Sequence, residues 1–275
     1  MKSIVESTSK KVGSYATCIP TGDTRIKDTI NGFLLNMDAS VDVFAEGIKN
    51  DPELASGFNA YGLSQGNNLI RGYIQKYHNI DGYPKVNTFM SICGINAGVG
   101  AFPNCAPDGK AGGICKVVTE VLGDLAYNEF VQVRQGTGGR RVFSQFALLK
   151  AIKLRRIASL ARSPQGILFQ SNYFRDPSKT SSDAYKKHSQ LAQWENEGDD
   201  VDSARNDGFG MTEKYVWVIG TEDSVVWPRE GEVWGAMDPG DPFATKLPYN
   251  ETQWYKEDTF GLRTADEAGK NNWER

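Results

Sequence analysis

The sequence predicts an α/β protein built on a mainly parallel sheet. Three observations lead there. Short apolar strands alternate with amphipathic helices through the first hundred residues, which is the rhythm of strands joined by crossover helices. A tight glycine-bounded turn, Gly62-x-Ser64-x-Gly66, joins one of those strands to the helix after it. Far along the chain, Lys214-Tyr215-Val216-Trp217-Val218-Ile219-Gly220 is a further strong strand.

Taken in order, residues 2–11 are lysine-rich and helix-compatible, and 13–20 read as a short strand ended by Pro20-Thr21-Gly22. Residues 38–48 form an amphipathic helix, with Val41, Phe44, Ala45 and Ile48 on one face and Asn50-Asp51-Pro52 as its stop. Residues 57–63 are a buried strand, and Leu69, Ile70, Tyr73, Ile74 and Tyr77 place a helix behind the turn. Residues 84–93 are the next strand. It leads into Gly94-Ile95-Asn96-Ala97-Gly98-Val99-Gly100, which lacks the lysine and Ser/Thr of a phosphate loop and reads better as a loop at the carboxyl end of a strand. A helix is expected over 116–132. Residues 133–163 carry Arg134, Arg140, Arg141, Lys150, Lys153, Arg155, Arg156 and Arg162 with almost no acid, and read as an inserted surface helix in preference to a basic amphipathic helix for a membrane or partner. Short helical pieces fall within 182–194, a loose acidic surface loop is expected over 196–207, and the polar tail is expected to stop without another strand.

Composition bounds the function. The 275 residues carry a net charge of −3, which argues against nucleic acid as the main partner. No apolar run reaches the roughly 18 residues that a membrane-crossing helix needs, and residues 1–12 lack the apolar core of a signal peptide. Cys105 and Cys115 flank a Pro/Gly-rich loop at a spacing that suits a local disulfide or leaves free thiols; a metal site is a poorer reading, because no histidine or second close cysteine pair joins them. Asn250-Glu251-Thr252 is a glycosylation sequon in a proline-flanked loop. The sequon and the cysteine pair lean towards a secretory compartment.

Chemistry concentrates at the turn. Gly62-x-Ser64-x-Gly66 has the pattern of a nucleophile elbow, in which a strained strand-to-helix turn presents the serine hydroxyl, and both glycines are expected to be required because side chains would crowd the bend. A bland glycine-rich turn is the alternative. Asp223, just past the late strand, stands where a triad acid or an ordinary turn aspartate would stand. A triad also needs a histidine base. The two histidines, His78 and His188, both precede Asp223, against the Ser, Asp, His order; His78 is expected at the surface and His188 in the polar middle region.

Longer stretches are more specific. They are Asn59-Ala60-Tyr61-Gly62-Leu63-Ser64-Gln65-Gly66; Phe102-Pro103-Asn104-Cys105 with Cys115; Tyr173-Phe174-Arg175-Asp176-Pro177; His188-Ser189; Thr221-Glu222-Asp223-Ser224 with Val226-Trp227-Pro228; and 255–262 followed by 265–269. In this order the chain resembles the palmitoyl-protein thioesterases, apart from 133–163. The resemblance implies an α/β-hydrolase-like, mainly parallel sheet: residues 1–103 and 214–275 as the core and 104–213 as an inserted helical lid beside an acyl-chain groove. It implies hydrolysis of fatty acyl thioesters on protein cysteines, a lysosomal or secreted location, S-palmitoylated proteins or acyl thioesters as partners, and no metal or cofactor. Ser64 matches the nucleophile, Asp223 the triad acid, the Gln65 backbone N–H one oxyanion donor, and Cys105 with Cys115 a disulfide pair. Against the family pattern, the first strand with its His-Gly oxyanion loop, the signal peptide and the carboxyl-terminal histidine segment are missing, with Asn271-Asn272-Trp273-Glu274-Arg275 in the last place. Those departures read as an incomplete coding sequence and predict an impaired enzyme, with an acyl-binding pseudo-enzyme or a carboxylester lipase as the alternatives.

Overall fold

The computed structural model describes residues 2–101, 105, 127, 169–198 and 201–275. The expected helix over 116–132 and the basic stretch 133–163 lie outside the described residues, apart from Tyr127. Three helices open the chain: α1 (Lys2–Val12), α2 (Arg25–Leu34) and α3 (Met37–Lys49). The Thr24 side chain accepts the Lys27 N–H and starts α2; Asn36 accepts the Ala39 N–H and starts α3. Both side chains satisfy a donor that the first turn leaves orphaned. As the periodicity predicts, α3 buries Val41, Ala45 and Ile48.

The expected strand over 13–20 does not form. Tyr15 is exposed and donates its hydroxyl to Asp51 Oδ2 at 2.8 Å, while Ile19 packs against the core. No strand among the described residues runs alongside to supply a ladder, and alternating apolar residues without a partner edge do not make a strand.

The sheet has four strands. β1 (Phe58–Leu63) leads through the elbow into α4 (Gly66–Tyr77), and β2 (Val86–Ile92) follows. After α5 (Asp183–His188), α6 (Gln190–Trp194) and α7 (Ser203–Met211) comes β3 (Lys214–Val218). β4 (Ala236–Met237) and β5 (Lys246–Leu247) form a small antiparallel pair of their own. Two short helices, α8 (Gln253–Lys256) and α9 (Leu262–Glu267), precede β6 (Asn271–Glu274). The order is β1-β2-β3-β6, and all three pairings are parallel. This is the predicted α/β sheet, and its strands end in register: Leu63 pairs Ile92, Ile92 pairs Val218, and Val218 pairs Glu274.

Two expectations fail in this region. The tail does form a strand. Its residues are polar, but Asn271 Oδ1 accepts the Trp217 indole N–H at 3.0 Å, Asn272 Nδ2 donates to Tyr215 O at 3.1 Å, and Trp273 stacks on Tyr249 at 4.0 Å between centroids. Side-chain amides and one aromatic ring replace the aliphatic pattern that marks a buried strand. The stretch 196–207 is not a loose loop either. Asn196 Nδ2 donates to Asp202 O at 3.1 Å and Thr259 O at 2.8 Å, its Oδ1 accepts the Asp202 N–H at 2.9 Å, and α7 begins at Ser203.

An aromatic core lies against the sheet. Phe209 stacks on Tyr215 at 4.4 Å, Tyr215 on Trp217 at 5.1 Å, and Trp217 meets the edge of Trp234 at 5.4 Å. Offset and edge-on rings at these separations add about 0.5–1.5 kcal/mol per pair beyond their burial. The result is a rigid platform beneath the carboxyl-terminal rim.

Candidate active site

The rim is built from the residues that follow each strand. Ser64 continues β1 with its N–H on Ile92 O at 3.0 Å, Cys93 continues β2 with its N–H on Val218 O at 3.0 Å, and Ile219 continues β3 with its N–H on Glu274 O at 3.1 Å. Ser64 has φ 51° and Cys93 has φ 45°. Two non-glycine residues in the left-handed region, side by side on neighbouring strands, are uncommon and point to a constrained site.

Asn67 holds the elbow. Its Nδ2 donates to Ser64 O at 2.9 Å and to Ile92 O at 3.1 Å. A Cβ at Gly62 would lie 2.9 Å from Asn67 Cα and closer still to Asn67 Oδ1, so Gly62 is required. The same expectation fails at Gly66. A Cβ there meets nothing within 4 Å among the described residues, because Gly66 already lies in the first turn of α4 and projects away from the bend.

Gln65 precedes α4, where the first N–H groups have no acceptor within the helix. Its side chain bonds elsewhere: Nε2 donates to Gly32 O at 3.1 Å and Oε1 accepts from the Tyr173 hydroxyl at 3.5 Å. Asp223 follows β3, half-buried, with Oδ1 accepting the Val225 N–H at 2.6 Å and the Val226 N–H at 2.9 Å. Asp223 stands at the same rim as Ser64: its carboxylate lies within 4.8 Å of the sulfur of Cys93, which follows β2 beside Ser64. Asn250 lies in a short 3-10 turn, 249–251, whose Tyr249 stacks on Trp273 of β6. Cys105 is described, and Cys115 lies outside the described residues.

His78 is not at the surface. It is fully buried, and its Nε2 accepts the Val86 N–H at 2.9 Å. Burial, reinforced by Lys85, lowers its pKa to about 4. It follows the far end of α4, a 12-residue helix about 18 Å long, so it is remote from Ser64. His188 ends α5 and is half-buried.

Sequence reasoning missed two groups here. The first is a buried ion network that fastens α4. Arg71 Nη1 donates to Asn96 O at 2.7 Å and pairs Glu195 at 3.4 Å; Arg175 pairs Glu195 at 2.8 Å and Glu197 at 2.5 Å. Arg71 also lies over the Trp234 ring at 4.6 Å. Burial lowers the Arg71 pKa to about 10, which leaves it charged at neutral pH. The second is Glu232, whose Oε2 accepts the Gly220 N–H at 2.7 Å beside Asp223 and Cys93. Burial first, with Asp223 adding to it, raises the Glu232 pKa to about 7. The only sequence signal for Glu232 was an acid a few residues after Asp223, which does not distinguish an interior carboxyl from a surface one.

A parallel sheet flanked by helices, with a left-handed serine where the first of the four strands turns into a helix, defines an α/β-hydrolase-like protein. The palmitoyl protein thioesterase family model matches residues 1–274. The chain belongs to that family. It is 29% identical to palmitoyl-protein thioesterase 1 of Caenorhabditis elegans over 259 residues, covering 94% of this chain and 72% of the nematode protein. It is 25% identical to palmitoyl-protein thioesterase 3 of Dictyostelium discoideum over 235 residues, covering 85% of this chain and 65% of that protein. A palmitoyl-protein thioesterase-dolichyl pyrophosphate phosphatase fusion of Schizosaccharomyces pombe is 29% identical over 115 residues, 42% of this chain and 17% of the fusion. The described residues include no helix long and apolar enough to cross a membrane.

Proposed function

We propose that this chain carries the thioester-hydrolysing site of a palmitoyl-protein thioesterase, with Ser64 as nucleophile, Asp223 as triad acid and the Gln65 N–H as one oxyanion donor. The observation that carries the reading is the left-handed Ser64 at the β1–α4 junction, on the same sheet rim as Asp223. The substrate class is S-palmitoylated protein, or a fatty acyl thioester of similar shape. The serine oxygen attacks the thioester carbonyl, backbone donors hold the oxyanion, the thiolate leaves, and water clears the acyl-serine. Thiolate is a good leaving group, so much of the task is acyl-chain binding, at about 0.8 kcal/mol per buried methylene. Residues 1–103 and 214–275 would form the core, with 104–213 as a lid over the acyl chain.

The same reading pairs Cys105 with Cys115. It is supported by Cys18 and Cys93, which are both free and so do not compete for Cys105. It also makes Asn250 a glycan acceptor in a lysosomal or secreted protein.

No histidine follows Asp223 in these 275 residues, and His78 is committed to Val86 at the far end of α4. In a triad that acts as a unit, loss of the base alone costs about 10⁶ in rate. The expected outcome is palmitoyl-thioester turnover at background for the 275-residue chain, together with very weak labelling of Ser64 by a fluorophosphonate probe. Turnover or strong labelling that Ser64→Ala abolishes would mean that the site is active without a triad histidine. A catalytically silent acyl-binding protein is the second reading, favoured by the commitment of His78 to Val86, far from Ser64. Saturable binding of a non-hydrolysable palmitoyl thioether by the unlabelled chain would support it.

A further inference from the structure

Three donor groups meet at the rim beside the proposed triad acid. Cys93 Sγ, a carboxylate oxygen of Asp223 and a carboxylate oxygen of Glu232 all lie within 4.8 Å of one another. They come from separate segments: the end of β2, the turn after β3, and the short 3-10 helix 229–233. Gly220 sits among them, and a Cβ there would come 2.9 Å from the Cys93 sulfur and 3.2 Å from Asp223 Cβ. Glu232 is fully buried. Its Oε2 takes the Gly220 N–H and the Cys93 thiol hydrogen-bonds the same carboxylate, while Oε1 has no hydrogen-bond partner among the described residues. Cys93 is a free thiol. Arg229 is the positive charge acting on Glu232, and its guanidinium donates to Thr221 O instead. Two acids and a thiol share one corner, and one buried carboxylate oxygen is left unsatisfied there; such an oxygen is costly unless something binds it.

We propose that Cys93, Asp223 and Glu232 form a binding site for a divalent cation of the zinc class. A tetrahedral ion with oxygen and sulfur ligands at about 2.0–2.3 Å needs its donors roughly 3.5 Å apart, so small rotations of side chains already in place close the site. A thiolate ligand favours zinc-like ions over magnesium or calcium, which take oxygen. Binding releases the Cys93 thiol proton to solvent and forms the metal–sulfur bond. Three protein ligands leave a fourth position for water. The proposal does not depend on the hydrolase reading. Where that reading also holds, the ion occupies the carboxylate assigned as triad acid.

Cobalt(II) is the probe, because thiolate coordination gives it a near-ultraviolet charge-transfer band and tetrahedral geometry gives it intense visible bands. The full 275-residue chain, reduced and metal-free, is titrated with cobalt(II) and then with zinc(II). We expect a one-to-one band that zinc displaces. Cys93→Ser should abolish it, and Cys18→Ser, which removes the other free thiol among the described residues, should leave it unchanged. Glu232→Gln should weaken binding by more than the roughly 10–100-fold that loss of an outer-sphere partner costs. If circular dichroism shows Glu232→Gln to be unfolded, Asp223→Asn serves for the same comparison. No band at millimolar cobalt, a band that survives Cys93→Ser, or a Cys93-dependent band indifferent to the carboxylate substitution would each overturn the site.

Discussion

Gly62 and Asn67 compete for one volume behind Ser64, and that competition fixes the elbow. Alanine at Gly62 drives a methyl group into Asn67, whose amide bridges Ser64 O and Ile92 O. Overpacking of this kind costs about 1–3 kcal/mol. Gly66→Ala meets open space in the first helical turn and should stay within about 0.5 kcal/mol of the parent. Urea unfolding of the two variants compares them directly, and equal costs would contradict this account. The sequence made the serine legible because the glycine spacing is local. It did not separate the two glycines, since the atom that crowds Gly62 belongs to a side chain five residues on. His78 was illegible for a related reason: its partner, the Val86 N–H, lies on the next strand. Its folded pKa of about 4 is below the unfolded value of about 6.5. The His78 contribution to stability is therefore complete above pH 6.5 and declines as pH falls towards 4, where both states bind the proton. In His78→Gln the side chain retains an acceptor for Val86 but cannot titrate. Its melting temperature should fall less steeply than the parent's between pH 6.5 and 4, and parallel curves would refute the assignment.

At the scale of elements, α4 illustrates what periodicity reports and what it hides. Its apolar face, Ile70, Tyr73, Ile74 and Tyr77, was readable from the 3.6-residue repeat. That repeat is silent on its polar positions, and Asn67, Asn68, Arg71 and Gln75 are buried as well. α4 is an interior helix, and partners for its longer polar side chains come from segments distant in sequence: Arg71 from Asn96 and Glu195, Gln75 from Trp194 O at 3.0 Å. β6 is the converse case, a strand whose polar residues hid its pairing. In the buried network two arginines balance two glutamates, so removing Arg71 alone strands a negative charge. Arg71→Met should cost about 3–5 kcal/mol, the usual penalty for breaking a buried pair from one side. Adding Glu195→Gln removes the stranded charge, so the double variant should lose less than the sum of the singles. Additive losses in urea would indicate that the two residues act separately.

At the scale of the molecule, parallel pairing in register brings the ends of four strands to one rim, and that rim carries Ser64, Asp223 and the Cys93–Asp223–Glu232 corner. The strand alternation made this arrangement foreseeable. The interior ion network and the Cys93–Asp223–Glu232 corner were not, because each is assembled from three or more distant segments. The same sheet order leaves β1 terminal among the described residues. Parallel sheets are ordinarily covered on both faces and guarded at their edges. On β1, Tyr61 and Leu63 face solvent, with Leu63 61% exposed, and no charged residue interrupts Phe58-Asn59-Ala60-Tyr61-Gly62-Leu63. An apolar, uncharged terminal strand is a template for a second chain. The 275-residue protein should therefore associate with rising concentration, measured by sedimentation velocity. A charge placed on that strand by Leu63→Lys should shift the distribution towards monomer. Val225→Lys provides the control, since Val225 is an exposed apolar residue that follows β3 and lies off the edge. If β1 is the contact, only the first substitution changes the distribution; equal effects of the two would mean that general solubility, and not strand pairing, governs self-association.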